Sequence, residues 1–312
     1  MQEPSLASLA SPAARYAAAT RPGFLTAAAV PVLIGIATAS LSGPVDWLRA
    51  IVTMIGAVAA HAAINVLNDY YDDRAGCDQI NGDRVFPFTG GSRVIQNGIF
   101  EPRQMATYGW ILLGFAALTG ILLTYVSGPG LLVIGALGFG IGWAYSAPPL
   151  RLCSRGLGET GVAVGFGVLI PLGAAYVQLG RLDPVALLAG LPFAFLIAAV
   201  LYINQFPDYR ADQATGKRNW VVRLGPRRAR AGYPVLAGLS YASLLAGVSL
   251  GPLPVYALLG FAALPFHVTG SRKLWAHAKQ PAALRPAIEA TLNGTMLQGI
   301  LIAVGIVLAR TV

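Results

Sequence analysis

The stretch INVLNDYYDDRA, residues 64–75, recurs as INQFPDYRADQA at residues 203–214, and this repeat decides the fold. The two copies share an Ile-Asn pair, an Asp-Tyr pair, a second Asp and an Ala at equivalent positions. Asn and Asp recur every four residues in each copy, which places their side chains along one face of a helix. Two copies of one polar helix end indicate that the chain consists of duplicated halves.

The sequence around each copy is unusually apolar. Hydrophobic residues make up 55% of the chain and charged residues 11%, against about 25% charged residues in a typical soluble domain. Apolar runs close to the roughly 20 residues that a membrane-spanning helix requires recur along almost the whole length. The composition therefore excludes a soluble globular protein and predicts an all-α, polytopic membrane protein.

Apolar length and flanking breakers predict nine transmembrane helices. We place them at about 24–41, 50–67, 105–126, 131–147, 161–179, 184–206, 231–250, 253–268 and 290–309. All belong to one domain, 1–312. Two four-helix pseudo-repeats are expected at about 23–150 and 157–270, with the ninth helix added after them.

Lysine and arginine set the expected orientation. If the N-terminus is cytoplasmic, only Arg49, Arg181 and Arg310 fall on the outer side, as the positive-inside rule favours. Both long connections, 68–104 and 207–230, then lie in the cytoplasm, on the inner face of the cell membrane. The net charge of +9 is explained by this topology and by contact with anionic lipid, so nucleic acid is not implied.

The acidic residues concentrate near the two repeats. Carboxylates that converge at the end of a bundle repel one another, and a hard divalent cation such as Mg²⁺, which takes carboxylate and phosphate oxygens, would compensate them. Nearby lie candidate phosphate binders, Gly90-Gly91-Ser92-Arg93 and Gly216-Lys217-Arg218, which combine exposed backbone N–H groups with cations. Each piece alone also fits a solvated loop or a membrane anchor, but their duplication favours a metal-diphosphate site.

These motifs resemble those of the UbiA superfamily of intramembrane aromatic prenyltransferases, whose nine helices carry Asp-rich motifs after the second and sixth. The pattern Asn65-x-x-Asn68-Asp69-Tyr70-x-Asp72 followed by Gly76-Cys77-Asp78 is similar to the 1,4-dihydroxy-2-naphthoate polyprenyltransferase branch. Arg155-Gly-Leu-Gly-Glu159 and Val222-Arg-Leu-Gly225 are further matches to that branch. The second motif departs from it, because Pro207 stands where the branch typically has arginine before Asp208.

The resemblance implies a Mg²⁺-dependent enzyme that transfers a polyprenyl group from polyprenyl diphosphate to an aromatic acceptor, 1,4-dihydroxy-2-naphthoate in menaquinone biosynthesis. Four carboxylates would be catalytic: Asp69, Asp72, Asp208 and Asp212. The implied metal ligands are Asn68 and these four carboxylates. The implied substrate-binding residues are Asn65, Asp73, Asp78, Ser92, Arg93, Tyr145, Asn204, Lys217 and Arg218.

Other functions fit parts of the same pattern. The acceptor could instead be 4-hydroxybenzoate, homogentisate, haem, a chlorophyll precursor or a glycerol-phosphate lipid, and prenyl length and oligomeric state stay open. A transporter also shows duplication and intramembrane polar residues, although those would lie near the bilayer midplane. A phosphatidyl-type transferase would use Asp clusters with another spacing. His61 fits a buried helix contact as well as a chemical role, and Tyr145 fits packing as well as cation stabilisation.

Overall fold

The computed structural model describes residues 3–311, which form helices and no strands. Short 3₁₀ segments cover Leu152–Ser154, Val255–Ala263 and Pro281–Ala283. The α-helices are Pro12–Ala19 (α1), Pro22–Ser40 (α2), Trp47–Arg74 (α3), Cys77–Ile80 (α4), Pro102–Ser127 (α5), Gly130–Ser146 (α6), Gly158–Val164 (α7), Ile170–Leu179 (α8), Pro184–Ala214 (α9), Trp220–Leu224 (α10), Pro226–Ala229 (α11), Gly232–Ser249 (α12), Leu264–His277 (α13) and Arg285–Thr311 (α14).

The membrane character of the chain is confirmed by these helices. Among the described residues, 7 helices are long and apolar enough to cross a membrane: α2, α3, α5, α9, α14, the continuous rod Gly158–Leu179 and the segment Pro226–Ser249. Helix α6 is apolar but shorter. The all-α, multi-pass architecture is therefore correct, while the number of nine spans stays a prediction.

The predicted eighth span, 253–268, is not a single α-helix. Its first part is the 3₁₀ segment Val255–Ala263, and α13 begins only at Leu264, with Pro265 in its first turn. Proline has no backbone N–H and its ring restricts the preceding residue, so it fits the start of a helix better than the interior. The prolines of this region thus divide the apolar run into two helical pieces.

Both motif-bearing helices extend further than the apolar runs that predict them. Helix α3 continues to Arg74, and α9 continues through Pro207 to Ala214. The expected connections 68–104 and 207–230 therefore begin as helix rather than as loop. Proline is tolerated inside membrane helices because neighbouring groups satisfy the freed carbonyl.

Helix α9 forms the centre of the bundle. Its residues Phe193 and Ile197 pack with Val30 and Ile34 of α2 and Ile302 of α14 in the largest buried cluster. The last helix is therefore part of the core rather than a peripheral addition.

Glycines permit the closest helix approach in this region. A Cβ atom on Gly167 would overlap Ala194 of α9, and one on Gly190 would overlap the Gly167 carbonyl. Such small residues allow membrane helices to pack backbone against backbone. This packing fixes α9, whose C-terminal end carries the second motif.

Candidate active site

The two Asp motifs lie at the C-terminal ends of α3 and α9 and face each other across one cavity of about 120 Å³, called here the polar cavity. The connections after each helix complete its walls. Its polar lining residues are Arg21, Asn68, Asp72, Cys77, Asp78, Asn81, Thr89, Tyr145, Cys153, Asn204, Gln205, Asp208, Asp212, Lys217 and Asn219, with Gly90 and Gly91. The repeat therefore predicts correctly that both copies converge on one place.

Direct hydrogen bonds join the two halves of the chain around this cavity. The Cys77 thiol lies 3.2 Å from Asp212 Oδ1, and the Asn81 amide donates to Asp208 Oδ1 over 2.6 Å. Asn68 donates to Asp72 one turn further along α3, at 3.1 Å, as the four-residue spacing requires. The connection after α3 thus orients the carboxylates of α9.

Lys217 lies between the carboxylates of the two motifs. Its Nζ is 2.9 Å from Asp72 Oδ1 and 3.5 Å from Asp212 Oδ1. Gly216, with a φ of 77°, reverses the chain after α9 so that the Lys217 N–H bonds the Asp212 carbonyl. Burial alone would lower the pKa of Lys217, but the two carboxylates outweigh it and hold that pKa well above its usual range.

Asp69 lies behind the glycine pair of the first connection. Its Oδ2 accepts the Ser92 backbone N–H over 2.9 Å, and a Cβ atom on Gly91 would lie 3.1 Å from its Oδ1. Gly90 and Gly91 have φ angles of 77° and 74°, a conformation that favours glycine. The Ser92 N–H of this turn therefore donates to a carboxylate of the protein itself, whereas the sequence predicted that the turn would bind phosphate.

Five of the predicted substrate-binding residues do not line the polar cavity: Asn65, Asp73, Ser92, Arg93 and Arg218. The Asp73 carboxylate faces away and accepts hydrogen bonds from Gln79 and Gln96. The buried Arg93 side chain bonds the Asp78 carbonyl, and Ser92 contributes its backbone N–H. The Arg218 side chain is exposed, while its N–H donates to the Ser154 carbonyl over 2.8 Å. Adjacent helical residues point about 100° apart, so Asp72 and Asp73 cannot share one face.

Arg21 is a site residue that the sequence did not identify. Its guanidinium lines the polar cavity, lies 3.9 Å from Asp69 Oδ1 and lies 4.9 Å from the Phe24 ring centroid. Its Nε is buried without a hydrogen-bond partner. In the sequence this arginine immediately precedes the first span, where the positive-inside rule already accounts for it. Nothing in the sequence therefore indicates that it also lines the polar cavity.

A second cavity of about 170 Å³, called here the apolar cavity, leads from the polar cavity into the bundle. The two cavities share the lining residues Arg21, Asn68, Tyr145, Leu201 and Asn204. Glycine and aliphatic side chains of α3, α6, α7 and α9 line most of it. An ionic group and an attached apolar chain would therefore be accommodated end to end.

Two further residues discussed from the sequence lie on the apolar cavity. Asn65 lines its wall and donates to the Thr20 carbonyl over 3.0 Å, so its amide orients the start of α2. His61 also lines the wall, with its ring edge-on to Phe166 at 4.7 Å between centroids. Its position thus combines a buried aromatic contact with exposure to the cavity.

Comparison with known proteins places this geometry in one family. Residues 28–293 match the profile of the UbiA prenyltransferase family. The chain belongs to the UbiA prenyltransferase family. Being a UbiA-family protein, it is a transferase of prenyl groups, and the predicted resemblance is confirmed.

Individual UbiA relatives cover nearly the whole chain. It is 31% identical to a 1,4-dihydroxy-2-naphthoate octaprenyltransferase of Mycobacterium tuberculosis over 81% of this chain and 83% of that protein. The Escherichia coli protein of the same name is 30% identical, over 93% and 94%. A UbiA homologue from Archaeoglobus fulgidus, solved with DMAPP and Mg²⁺, superimposes with a TM-score of 0.60 at 16% identity, covering 93% of this chain and 99% of that one.

The donor set of this UbiA-family chain fits Mg²⁺. Five oxygen atoms of residues in or beside the polar cavity are buried without a hydrogen-bond partner: Asp69 Oδ1, Asp78 Oδ2, Asn81 Oδ1, Asn204 Oδ1 and Gln205 Oε1. Burial and the nearby Asp72 and Asp69 carboxylates raise the pKa of Asp78 well above its usual range, a sign of missing positive charge. Within the described residues no three His, Cys, Asp or Glu side chains are grouped closely enough to hold a metal ion by themselves.

Proposed function

We propose that this UbiA-family transferase moves a polyprenyl group from polyprenyl diphosphate to 1,4-dihydroxy-2-naphthoate, with Mg²⁺, in menaquinone biosynthesis. The observation that carries the proposal is the continuity of the acidic polar cavity with the apolar cavity. A ligand with a charged head and a long apolar tail matches this pair of spaces. The names of the relatives from Mycobacterium tuberculosis and Escherichia coli supply the acceptor.

The diphosphate would bind in the polar cavity. Asn68, Asp69, Asp72, Asp208 and Asp212 would hold Mg²⁺, and Asn204 would orient them. Bound Mg²⁺ would supply positive charge to the diphosphate oxygens, which weakens the allylic C–O bond. Arg21 and Lys217 are the cationic side chains on the cavity and would stabilise the departing pyrophosphate, which takes the electron pair of that bond.

The first prenyl unit would lie where the two cavities meet. Tyr145 lines both cavities there, so its ring would offer its negative face to the allylic cation. The aliphatic wall of the apolar cavity would exclude water, which would otherwise quench the cation. A ring carbon of the acceptor would then form the new C–C bond, with the naphthoate carboxylate lost as CO₂ to give the demethylquinol.

The proline of the second motif is compatible with this proposal. Pro207 is buried on the side of α9 that faces away from the polar cavity, whereas Asp208 lines that cavity. The proline therefore leaves the polar lining of the cavity intact. The position would then tolerate proline without a change of substrate class.

The repeat and the charges suggest how the chain is arranged in the membrane. We propose two duplicated halves within one domain, supported by the matching positions of the motifs at the ends of α3 and α9. The cavity would face the cytoplasm at the inner membrane, with the N-terminus on the same side. The arginines and lysines that surround the motifs support this orientation through the positive-inside rule.

The proposal is tested by a prenyl-transfer assay on the purified protein in lipid. Geranylgeranyl or longer prenyl diphosphate is supplied with Mg²⁺, and dihydroxynaphthoate and 4-hydroxybenzoate are offered together, with products identified by mass spectrometry. We expect prenylated, decarboxylated product from the naphthoate alone and its loss in EDTA. Product from 4-hydroxybenzoate instead, or turnover that EDTA does not change, would refute the proposed acceptor or the metal respectively.

A further inference from the structure

A third space, a cleft larger than the polar and apolar cavities, lies on the opposite side of α9 from the polar cavity. Its volume is about 960 Å³, and it is bounded by the C-terminal end of α9, by α11 and by the end of α13. Pro207 and Tyr209 line it, whereas their neighbour Asp208 lines the polar cavity. We call it the basic cleft because five of its lining residues are cationic: Arg210, Arg227, Arg228, Arg230 and Lys279.

The protein itself leaves most of this charge uncompensated. Within the described chain, Asp83 is the one acid that lines the basic cleft, and it pairs with Arg210 at 3.3 Å. No salt bridge among the described residues involves Arg227, Arg228 or Lys279. These like charges repel one another unless an anion lies between them.

One arginine is held in place for such an anion. Arg230 donates through Nη1 to the Trp275 carbonyl over 2.6 Å, and its guanidinium lies 4.1 Å from the Trp275 ring centroid. Its Nε is buried and has no hydrogen-bond partner. A buried donor without an acceptor is costly, so a ligand oxygen at this point would be stabilising.

The surroundings of the charges distinguish a lipid from a free anion. Apolar groups, among them Phe206, Leu224 and Trp275, line the basic cleft beside the cations. The segment Pro226–Ser249, which is long and apolar enough to span a membrane, begins at the edge of the cleft, because Pro226 lines it. Basic pockets beside the ends of transmembrane helices suit anionic headgroups.

We propose that the basic cleft is a binding site for the phosphodiester headgroup of an anionic phospholipid. The phosphate would lie among Arg227, Arg228 and Lys279 and accept the free Nε–H of Arg230. The glycerol and acyl chains would lie against Trp275 and Leu224. This site is separate from the prenyl-transfer site, so its test does not depend on the proposed reaction.

The test measures lipid binding to the full chain, delipidated in neutral detergent, by native mass spectrometry. Phosphatidylglycerol and phosphatidylcholine are titrated in parallel. The cleft variant is Arg227→Gln/Arg228→Gln, and the matched control is Arg272→Gln/Lys273→Gln, which removes the same charge from exposed positions of α13 outside the cleft. We expect phosphatidylglycerol to bind preferentially, to weaken by about tenfold in the cleft variant and to be unchanged in the control.

Three results would overturn the proposal. These are equal binding of both lipids, equal losses in both double variants, and displacement of phosphatidylglycerol by equimolar inorganic phosphate, which would indicate a free-anion site. If the cleft double variant is not recovered folded, the exposed single change Lys279→Gln serves in its place, with Lys273→Gln as its control. Weakening by Lys279→Gln alone supports the proposal, and equal binding by both single variants contradicts it.

Discussion

Replacing Lys217 by methionine would leave the two motifs facing each other without their internal counter-charge. The ammonium lies 2.9 Å from Asp72 and 3.5 Å from Asp212, and its side chain is 13% exposed. At an effective dielectric of about 20, each contact contributes roughly 5 to 6 kcal/mol of attraction. The ammonium also costs free energy to bury, so we expect Lys217→Met to lower the free energy of unfolding by about 3 kcal/mol in EDTA.

A bound divalent cation should replace part of what the lysine supplies. The Asp72 and Asp212 carboxylates, unpaired in Lys217→Met, should bind Mg²⁺ more tightly than in the unchanged protein, so added Mg²⁺ should shrink the loss to about half. Unfolding in detergent is followed for Lys217→Met and for Arg218→Met, whose exposed side chain leaves the backbone bond to Ser154 intact. Equal losses in the two variants, or a loss for Lys217→Met that Mg²⁺ does not reduce, would contradict this expectation.

Three further predictions concern the apolar cavity, the N-terminal segment and a buried thiol. Gly138→Phe should fill the apolar cavity and favour shorter prenyl diphosphates by about tenfold in kcat/KM, whereas Gly114→Phe, at an open position outside that cavity, should not change chain preference. Glu3 accepts a hydrogen bond from Arg84 of the first connection over 2.7 Å, and Glu3→Gln should weaken this contact. The connection would then be held less firmly, so the Mg²⁺ concentration needed for half-maximal activity should rise; an unchanged concentration would contradict this. Burial raises the pKa of Cys153 to about 11, so its alkylation by iodoacetamide, followed by mass spectrometry, should accelerate about tenfold per unit from about pH 8 to 10; a plateau at pH 9 would disprove it.

The contact between motif residues four positions apart could be predicted from the sequence, because it depends on helix geometry alone. A four-residue spacing fixes which side chains share a face, and Asn68 with Asp72 confirms this by direct contact. The same rule fails at Asp73, which follows Asp69 by four residues and yet accepts hydrogen bonds from Gln79 and Gln96 outside the polar cavity. Asp212, its counterpart in the second copy, lines that cavity, so the two copies are not used identically.

The position of Lys217 could not be predicted from spacing. It depends on the turn at Gly216 and on the distance between the ends of α3 and α9, which only tertiary packing sets. The sequence assigned this lysine to diphosphate, and the structure shows its ammonium on two carboxylates. Arg21 was missed for a similar reason, because its contact with Asp69 joins segments far apart in the chain.

Helix limits were the least predictable part of the fold. A prediction from apolar length ends each helix where the polar residues begin. Helices α3 and α9 instead continue through their polar motifs, because the polar face of each is buried against the opposite half. The predicted span 253–268 shows the reverse, since one largely apolar run forms the 3₁₀ segment Val255–Ala263 and the start of α13. In both cases tertiary contacts and proline chemistry override hydropathy.

The four carboxylates that we assign to Mg²⁺, Asp69, Asp72, Asp208 and Asp212, should be required for prenyl transfer, whereas Asp73, which lies outside the polar cavity, should not. The most direct measurement compares kcat/KM of Asp208→Asn and Asp73→Asn, two isosteric changes of which the first lies in the polar cavity and the second outside it. We expect kcat/KM to fall at least about 100-fold in Asp208→Asn, since one preorganised charge is removed. We expect a change within about twofold in Asp73→Asn, because its effect should not exceed about 0.5 kcal/mol. Near-normal activity of folded Asp208→Asn, or an equal loss in Asp73→Asn, would contradict the assignment of these carboxylates.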